Sequence, residues 1–261
     1  MKTVKNQYEH YVKCETEVNI HDTEEFNLHI VYFINCMTNK NYMNWLENQI
    51  NLVKNFNGTI YIVATITRDE EALFRQTTLS LFSTNTINIE CYYENEFEYR
   101  GIHKVWELGQ TYNTKNDIIL YFHSKGVTHF PSYASNADDN YNIILKDINK
   151  IKEIFTIFPK IDKIGFCNSN LGWVWYNFWY ARGSYINKVE TPVKTDRRHY
   201  YEDWLGRQLH NNHDTFSEPE RPYSVYNACS RNCYGFHTNK DTIANIGSYY
   251  NPENDTWADS P

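Results

Sequence analysis

The sequence predicts an α/β protein with a mostly parallel sheet that is covered by helices on both faces. In the first half of the chain, four apolar, strand-like segments alternate with three amphipathic segments of helical period. The fourth strand-like segment carries consecutive apolar or aromatic residues from Ile118 to Phe122, which is typical of a strand buried on both faces. With 261 residues, 41% hydrophobic and 22% charged, the chain is long enough for one large domain of this class.

The predicted elements follow in regular order from residue 28. Asn57-Gly58 ends the first helix, and Asp69 is the predicted N-cap of the second. Right-handed crossovers bring the ends of parallel strands to one edge, so Asn35, Thr65 and His123 are expected on a common rim. The predicted strands are 28–34, 59–66, 87–93 and 117–122, and the predicted helices are 42–56, 70–82 and 97–113.

The second half of the chain is less regular. A long polar loop is expected to form a substrate loop, and an aromatic segment is too rich in Trp and Tyr for a simple core strand. Glu202 and Asp203 are expected at the start of a short helix. In chain order the segments are a loop at 128–140, a helix at 143–158, a strand at 163–167, the aromatic segment at 172–183 and a helix at 201–209. We divide the chain into a lead-in (1–26), a single domain (27–213) and a segment that wraps the same domain (214–261).

Composition excludes several classes of protein. The net charge of −7 argues against a general nucleic-acid-binding protein, which needs a basic surface. No run of eighteen apolar residues is present and residues 1–25 contain no apolar signal segment, so we expect no membrane span and a cytoplasmic location. The six cysteines are scattered, as in a reduced protein. A structural zinc site is an alternative for four residues, although their spacing departs from the common CxxC pattern: His210, His213, Cys229 and Cys233.

Polar side chains end the fourth predicted strand. His123, Ser124 and Lys125 offer an imidazole, a hydroxyl and an ammonium where open α/β sheets bind ligands, and Gly126 follows at once. The alternative is an ordinary polar strand end that turns into a solvated loop.

Three motifs, taken in order, carry a family resemblance. They are Tyr121-x-His123-x-Lys125-Gly126, the segment Asn177-Phe178-Trp179-Tyr180-Ala181-Arg182, and Glu202-x-Trp204-Leu205-Gly206. With these motifs the chain resembles the GT-A-fold glycosyltransferases found in large DNA viruses and in bacterial polysaccharide clusters, over roughly residues 28 to 210. Two departures affect the expected acceptor pocket: Tyr176 stands where such chains often have Gly, and Tyr180 replaces a Trp.

The resemblance implies a GT-A (Rossmann-like) fold and a sugar transfer. The expected donor is a nucleoside-diphosphate sugar, with UDP as the expected nucleotide, and the expected acceptor is a glycan or glycoprotein. The enzyme would be a hexosyl- or deoxyhexosyl-transferase that inverts the transferred sugar. The alternatives are a non-catalytic domain that binds carbohydrate or nucleotide sugar, and a nucleotide-sugar hydrolase.

The metal requirement is left open by the sequence. Such enzymes generally carry Asp-x-Asp at the end of the fourth strand, where this chain has His123-Ser124-Lys125. The ammonium of Lys125 could balance diphosphate charge, and His123 could donate a hydrogen bond or bind Mn²⁺ or Mg²⁺. Asp138 and Asp139 are alternative metal ligands, or else a charge cluster at a helix N-terminus. The resemblance adds His237 as a metal candidate, and a surface histidine is its plain alternative.

The remaining expected roles concern the base, the donor and the sugar. Glu202 or Asp203 is the expected general base, with helix capping as the alternative. For the donor, Ile34, Asn35 and Thr65 should face base and ribose, and Arg100 and Lys104 should reach phosphate unless they are ordinary surface charges. Asn177 and Trp179 are expected to hold sugar or acceptor, and a core position is the competing role for Trp179.

Overall fold

The computed structural model describes residues 25–37, 42–82, 86–124, 145, 148–157, 161–166, 174, 177–207, 233–236, 249–251 and 256–258. These residues contain a seven-stranded sheet and a separate two-stranded sheet. The α/β class predicted from the sequence is confirmed.

The first half of the large sheet is entirely parallel. Its strands are β1 (Asn27–Asn35), β2 (Thr59–Thr65), β3 (Thr86–Tyr92) and β4 (Asp117–His123), in the order β3-β2-β1-β4. Asn35 pairs with Thr65, and Phe33 pairs with His123. The carboxyl ends of β1, β2 and β4 therefore share one edge, as predicted; we call this edge the rim.

The second half of the sheet is mixed. Its strands are β5 (Lys163–Phe166), β6 (Trp179–Arg182) and β7 (Cys233–Phe236), and the order continues β4-β6-β5-β7. β6 is antiparallel to both of its neighbours, whereas β7 is parallel to β5. The C-terminal segment thus adds a strand to the main sheet. β8 (Tyr249–Asn251) and β9 (Thr256–Ala258) form the separate antiparallel pair.

Helices cover both faces of the large sheet. They are α1 (Tyr42–Val53), α2 (Glu71–Ser80), α3 (Tyr99–Thr111), α4 (Ile148–Ile157), α5 (Gly183–Ile186) and α6 (Arg198–Asp203), with 3-10 turns at Arg68–Glu70 and Trp204–Gly206. One core cluster joins α1, α2 and α4 to side chains such as Ile30 and Tyr32 of β1. The other joins α3, α5 and α6 to the alternate residues Val31 and Phe33. The alternation along β1 follows from the two-residue period of a strand that is buried on both faces.

Two predictions about helix starts are wrong. Asp69 does not cap α2, because it lies inside the 3-10 turn, and Glu70 is the N-cap residue, without a capping hydrogen bond. The carboxylate of Glu70 instead accepts a hydrogen bond from the Thr67 hydroxyl at 2.6 Å. α6 begins at Arg198, which places Glu202 and Asp203 in its last turn rather than at its start.

The aromatic segment is also different from its prediction. Trp179–Arg182 is a fully buried strand of the sheet, so its aromatic content does serve the core. The ring of Trp179 packs against Tyr121 with centroids 5.3 Å apart. Two packed cores need large side chains to fill the space between sheet and helices, and aromatic rings bury the most area for each residue.

Candidate active site at the rim of the sheet

The strand order creates a switch point between β1 and β4. The chain moves from β1 to β2 and β3 on one side, and then returns to β4 on the other side of β1. In open α/β sheets, ligands bind outside the carboxyl ends of the strands at such a point. The two strand ends are joined there: the Ser124 amide donates to the carbonyl of Phe33 at 2.9 Å, and the Asn35 amide donates to the Ser124 hydroxyl at 3.3 Å.

Glu98 accepts hydrogen bonds from polar groups beside this switch point. It directly precedes α3, and its Oε2 accepts hydrogen bonds from the Tyr121 hydroxyl at 3.1 Å and the Asn177 amide at 2.8 Å. Its Oε1 lies 3.7 Å from Nδ1 of His123. Tyr121 and Asn177 are buried, at 0% and 1% exposed. At 3.7 Å this contact with His123 is too long for a hydrogen bond, and it is an ion pair only when the imidazole is protonated.

The same network reaches α6. The side-chain nitrogen of Asn177 donates to the carbonyl of Tyr201 at 3.0 Å as well as to Glu98. Tyr201 immediately precedes Glu202, which is half-buried. One amide therefore connects the end of β4 to the helix that carries Glu202 and Asp203, so the structure joins the segments of the first, second and third motifs.

The end of α6 is held firmly against the sheet. The hydroxyl of Tyr185 donates to the carbonyl of Leu205 at 2.6 Å and accepts from the buried ammonium of Lys163 at 3.0 Å. The indole of Trp204 donates to the carbonyl of Glu190 at 2.9 Å. These contacts fix the backbone of the segment that directly follows Glu202 and Asp203.

Backbone strain is concentrated around Glu98. Among the residues that the structure describes, Phe97 (φ 52°) and Asn177 (φ 55°) are the non-glycine residues with positive φ. Asn tolerates this conformation, but for Phe it costs about 1–2 kcal/mol. Phe97 precedes Glu98 in the chain, and Asn177 donates to it. Strain of this kind persists where the surrounding structure imposes it, and it is common at functional sites.

Sequence reasoning missed Glu98 and Phe97. An acidic residue before a helix is explained by the helix dipole alone, so the residue type gave no reason to select Glu98. Phe97 is 42% exposed and lies in the turn between β3 and α3, where the sequence has no helical or strand period that would single it out. A large apolar residue within the acidic run 94–98 was the signal that could have found it.

Arg100 and Lys104 are occupied by carboxylates. Nε of Arg100 lies 2.5 Å from Glu96, and the guanidinium also lies over the ring of Tyr92 at 4.3 Å. Nζ of Lys104 lies 2.6 Å from Glu90 and 2.5 Å from Glu107. These contacts match the surface-charge alternative for both cations, and a phosphate would have to compete with them.

Glu96 is a buried carboxylate with two cationic partners, Arg100 and Lys194. Burial alone would raise the pKa of Glu96, but Lys194 and Arg100 outweigh it and hold the pKa below its ordinary value. The ion pair links the turn before α3 to the segment that precedes α6, and so holds two sides of the candidate site together.

We expect Glu96→Gln to destabilise the protein by about 1–3 kcal/mol at pH 7, because a charge-assisted pair is lost. The folded-state pKa is depressed, so this stabilisation is present above the unfolded pKa of about 4.3 and is lost as pH falls through the folded value. Urea unfolding of wild type and variant at a series of pH values should show a difference that shrinks below about pH 4.

The matched control is Glu94→Gln, which removes an exposed partner of the same lysine, 3.3 Å from Lys194. Its expected effect is below about 1 kcal/mol. A difference for Glu96→Gln that persists unchanged at pH 3 would contradict the assigned charge.

Four predicted site residues lie in the interior, and Asn177, described above, is one of them. Ile34 is fully buried in the core that faces α1, and Thr65 is fully buried at the end of β2 with no hydrogen-bond partner for its hydroxyl among the described residues. Trp179 is fully buried, and its indole nitrogen lies 3.4 Å from the side-chain oxygen of Asn177. Trp179 thus occupies a core position, which was the alternative to contact with a sugar, and neither face of its ring is open to a ligand.

Several candidates lie outside the described residues: Lys125, Asp138, Asp139, His237, His210, His213 and Cys229. Within the described part of the chain, no three His, Cys, Asp or Glu side chains come together as a group that could hold a metal ion. No helix in that same part is long and apolar enough to cross a membrane.

Comparisons with known proteins give little further guidance. No family model matches the chain, and no curated protein matches it. Among solved structures, the chain is similar to 4-diphosphocytidyl-2C-methyl-D-erythritol synthase from Anaerococcus prevotii, at 11% identity and a TM-score of 0.37, over 72% of this chain and 78% of that chain. A likeness at this level says nothing about the substrate of this chain.

Proposed function

We propose that the chain is a glycosyltransferase that moves a hexosyl or deoxyhexosyl group from a UDP-sugar to a glycan or glycoprotein acceptor. One observation carries the proposal. The polar switch point of the sheet is connected, through Glu98 and Asn177, to the helix that bears Glu202 and Asp203. A donor site and an acidic helix are what this transfer requires.

The donor is assigned to the rim. His123, Ser124 and Lys125 meet the diphosphate, whose charge grows as the bond to the sugar breaks. Asn35 and Thr65 lie at the ends of the adjacent strands, next to the expected position of base and ribose. Because the side chains of Ile34 and Thr65 are fully buried, only their backbones are left to the donor.

The transfer itself needs one proton acceptor. Glu202 or Asp203 takes the proton from an acceptor hydroxyl, and that oxygen forms a bond to the anomeric carbon of the sugar. The bond from this carbon to the diphosphate oxygen breaks, and UDP leaves with the electron pair. A single in-line displacement inverts the anomeric carbon. Asn177 is buried and its side-chain nitrogen is taken by Glu98 and the carbonyl of Tyr201, so we assign it to position the two parts of the site rather than to contact the sugar.

Mn²⁺ or Mg²⁺ would add a further positive charge beside the diphosphate. His123 is the described candidate ligand, with an imidazole nitrogen beside Glu98. Asp138, Asp139 and His237 complete the proposed set. The roles proposed for Lys125, Glu202 and Asp203 do not require a bound metal ion.

Lys125→Ala should weaken UDP binding by about tenfold or more and leave uridine binding nearly unchanged, because the ammonium acts on the diphosphate. Isothermal titration with UDP and with uridine measures both affinities. Lys115→Ala is the matched control, since this exposed lysine precedes the other end of β4. An equal loss of both ligands in Lys125→Ala would contradict the role of the ammonium.

Turnover distinguishes this proposal from its alternatives. UDP release that requires an acceptor supports the transferase. Release at the same rate without any acceptor identifies a hydrolase. Thermal stabilisation by UDP-sugars with no UDP release identifies a non-catalytic binding domain.

A further inference from the structure

Two features of Phe97, in the turn that leads from β3 to α3, lower the stability of the fold. Its φ of 52° is a left-handed conformation that a large side chain adopts only at a cost in free energy. The residue is also 42% exposed, so much of its apolar surface stays in water. Glycine at this position would avoid both costs. A large ring kept under such conditions is typical of a position that meets a ligand.

The turn holds Phe97 in place at the rim. Its backbone amide donates to Oδ1 of Asn95 at 3.3 Å, and the same oxygen accepts from the side-chain amide of Asn35 at 3.1 Å. Asn35 is the last residue of β1. On the other side, Phe97 is followed by Glu98, which accepts from the Tyr121 hydroxyl of β4. The backbone of Phe97 is therefore tied to both strands of the switch point.

The ring of Phe97 is open to a ligand. In the described part of the chain, Tyr93 is the other aromatic residue that is more than a third exposed, at 40%. The guanidinium of Arg68 lies over the ring of Tyr93 at 4.4 Å, whereas Phe97 makes no ring contact with a described residue. Trp179, which the sequence offered as a sugar contact, is buried. Phe97 is thus an uncovered aromatic ring beside the candidate site.

The charges around Phe97 favour a neutral ligand. Phe97 lies in an acidic run with Glu94, Glu96 and Glu98. These three carboxylates have one arginine and one lysine as charged partners, so a phosphate or a carboxylate beside the ring would meet net negative charge. A neutral pyranose offers a flat apolar face edged by hydroxyls, which suits contact with an aromatic ring.

The turn is also linked to the helix that carries the proposed base. Lys194 pairs with Glu94 at 3.3 Å. The amide of the next residue, Thr195, donates to the hydroxyl of Tyr201 at 2.9 Å, and Tyr201 directly precedes Glu202. The acceptor hydroxyl must approach this helix to lose its proton. A sugar on Phe97 therefore corresponds to the acceptor.

We infer that Phe97 is the platform for the acceptor, and that its ring packs against the apolar face of a neutral pyranose whose hydroxyl reaches Glu202 or Asp203. The inference rests on the proposed function and deepens it, because it names the class of acceptor. Acidic sugars such as a glucuronide are excluded by the carboxylates of the turn.

Saturation-transfer NMR measures sugar binding without turnover. The probes are the methyl glycosides of glucose, galactose, N-acetylglucosamine and rhamnose, and methyl glucuronide, each in the presence of UDP. At least one neutral glycoside should bind, and the glucuronide should not. Phe97→Gly should raise the Kd by about tenfold, and Phe97→Trp, which keeps a ring, should stay within about threefold of wild type. The control is Leu79→Ala on α2, a residue that is 53% exposed, and it should change nothing.

Urea unfolding of Phe97→Gly separates a ligand contact from a structural role. Because glycine adopts a positive φ without strain, the urea midpoint should equal or exceed that of wild type while binding falls. A lower midpoint would identify the ring as part of the core and overturn the inference.

The remaining outcomes separate this inference from the proposed transfer. Absence of binding by every neutral glycoside, or equal binding by Phe97→Gly and wild type, overturns the inference. Where wild type releases UDP from UDP-glucose, Phe97→Gly should raise the KM of the glycoside and leave that of the donor within about twofold. A rise in the donor KM alone would place the donor sugar on Phe97 and overturn the acceptor assignment. Binding that Phe97→Gly abolishes, without UDP release by wild type, would uphold the platform and refute the transferase.

Discussion

The paired substitution Glu202→Gln with Asp203→Asn should lower UDP-sugar turnover by about 10²–10⁴-fold, because it removes both candidates for the general base. The amides keep the shape of the carboxylates, so the affinity for UDP should change by less than about twofold. Initial rates of UDP release in the presence of acceptor, together with calorimetric titration of UDP, measure the two effects separately.

The position of these carboxylates sharpens the test. Since they lie in the last turn of α6 and not at its start, loss of a helix cap cannot explain an inactive variant. The melting temperature of the paired variant, measured alongside turnover, separates a loss of chemistry from a loss of folding. Glu153→Gln, an exposed carboxylate on α4, is the control and should keep full turnover. Full turnover in the paired variant would exclude both Glu202 and Asp203 as the general base.

Arg182→Met should destabilise the protein by about 3–5 kcal/mol, the largest effect on stability that we expect. Its guanidinium donates to the carbonyls of Ile161 at 2.7 Å, Lys115 at 2.6 Å and Phe155 at 2.7 Å. The residue is 2% exposed. The substitution leaves three carbonyls with a lost donor, in segments that precede β4 and β5 and that end α4.

Urea unfolding measures this loss. Arg75→Met is the matched control, because Arg75 is a half-exposed arginine that donates to one carboxylate, Glu71 at 2.7 Å, and to one carbonyl, that of Ile89 at 3.0 Å. Its expected effect is about 1 kcal/mol or less. A loss below about 1 kcal/mol for Arg182→Met would show that the three hydrogen bonds contribute little.

The result for Arg182 bears on the second motif. A conspicuous Arg at the end of an aromatic run invites a role in binding substrate, yet here the fold accounts for it. Asn177, at the other end of the same run, faces the polar network instead. The motif therefore combines a residue that holds the sheet together with one that shapes the candidate site.

The first half of the fold was predictable because its strands and helices alternate with clear periods. Each strand of the parallel half was expected within two residues of its observed bounds, and the shared rim followed from crossover geometry. The start of α6 was not predictable, since Arg197 makes no capping hydrogen bond and so leaves no signal in the sequence. The position of β6 between β4 and β5 depends on contacts between segments far apart in the sequence, which local composition does not reveal.

The candidate site was predictable only in part. Residues at strand ends, such as Asn35 and His123, could be selected because topology places strand ends together. Glu98 could not, because its partners Tyr121 and Asn177 are 23 and 79 residues away in the sequence. A carboxylate becomes noteworthy only when the groups that surround it are known.

The reversed direction of β6 has a consequence for how this protein can diversify. A strand that runs against its neighbours starts where they finish, so β6 begins at the rim, two residues after Asn177. Insertions ahead of that point would change the rim beside β4 and leave the pairings among β1, β2, β3 and β4 in place. One side of the rim can thus vary in sequence while the strand ends on the other side stay the same.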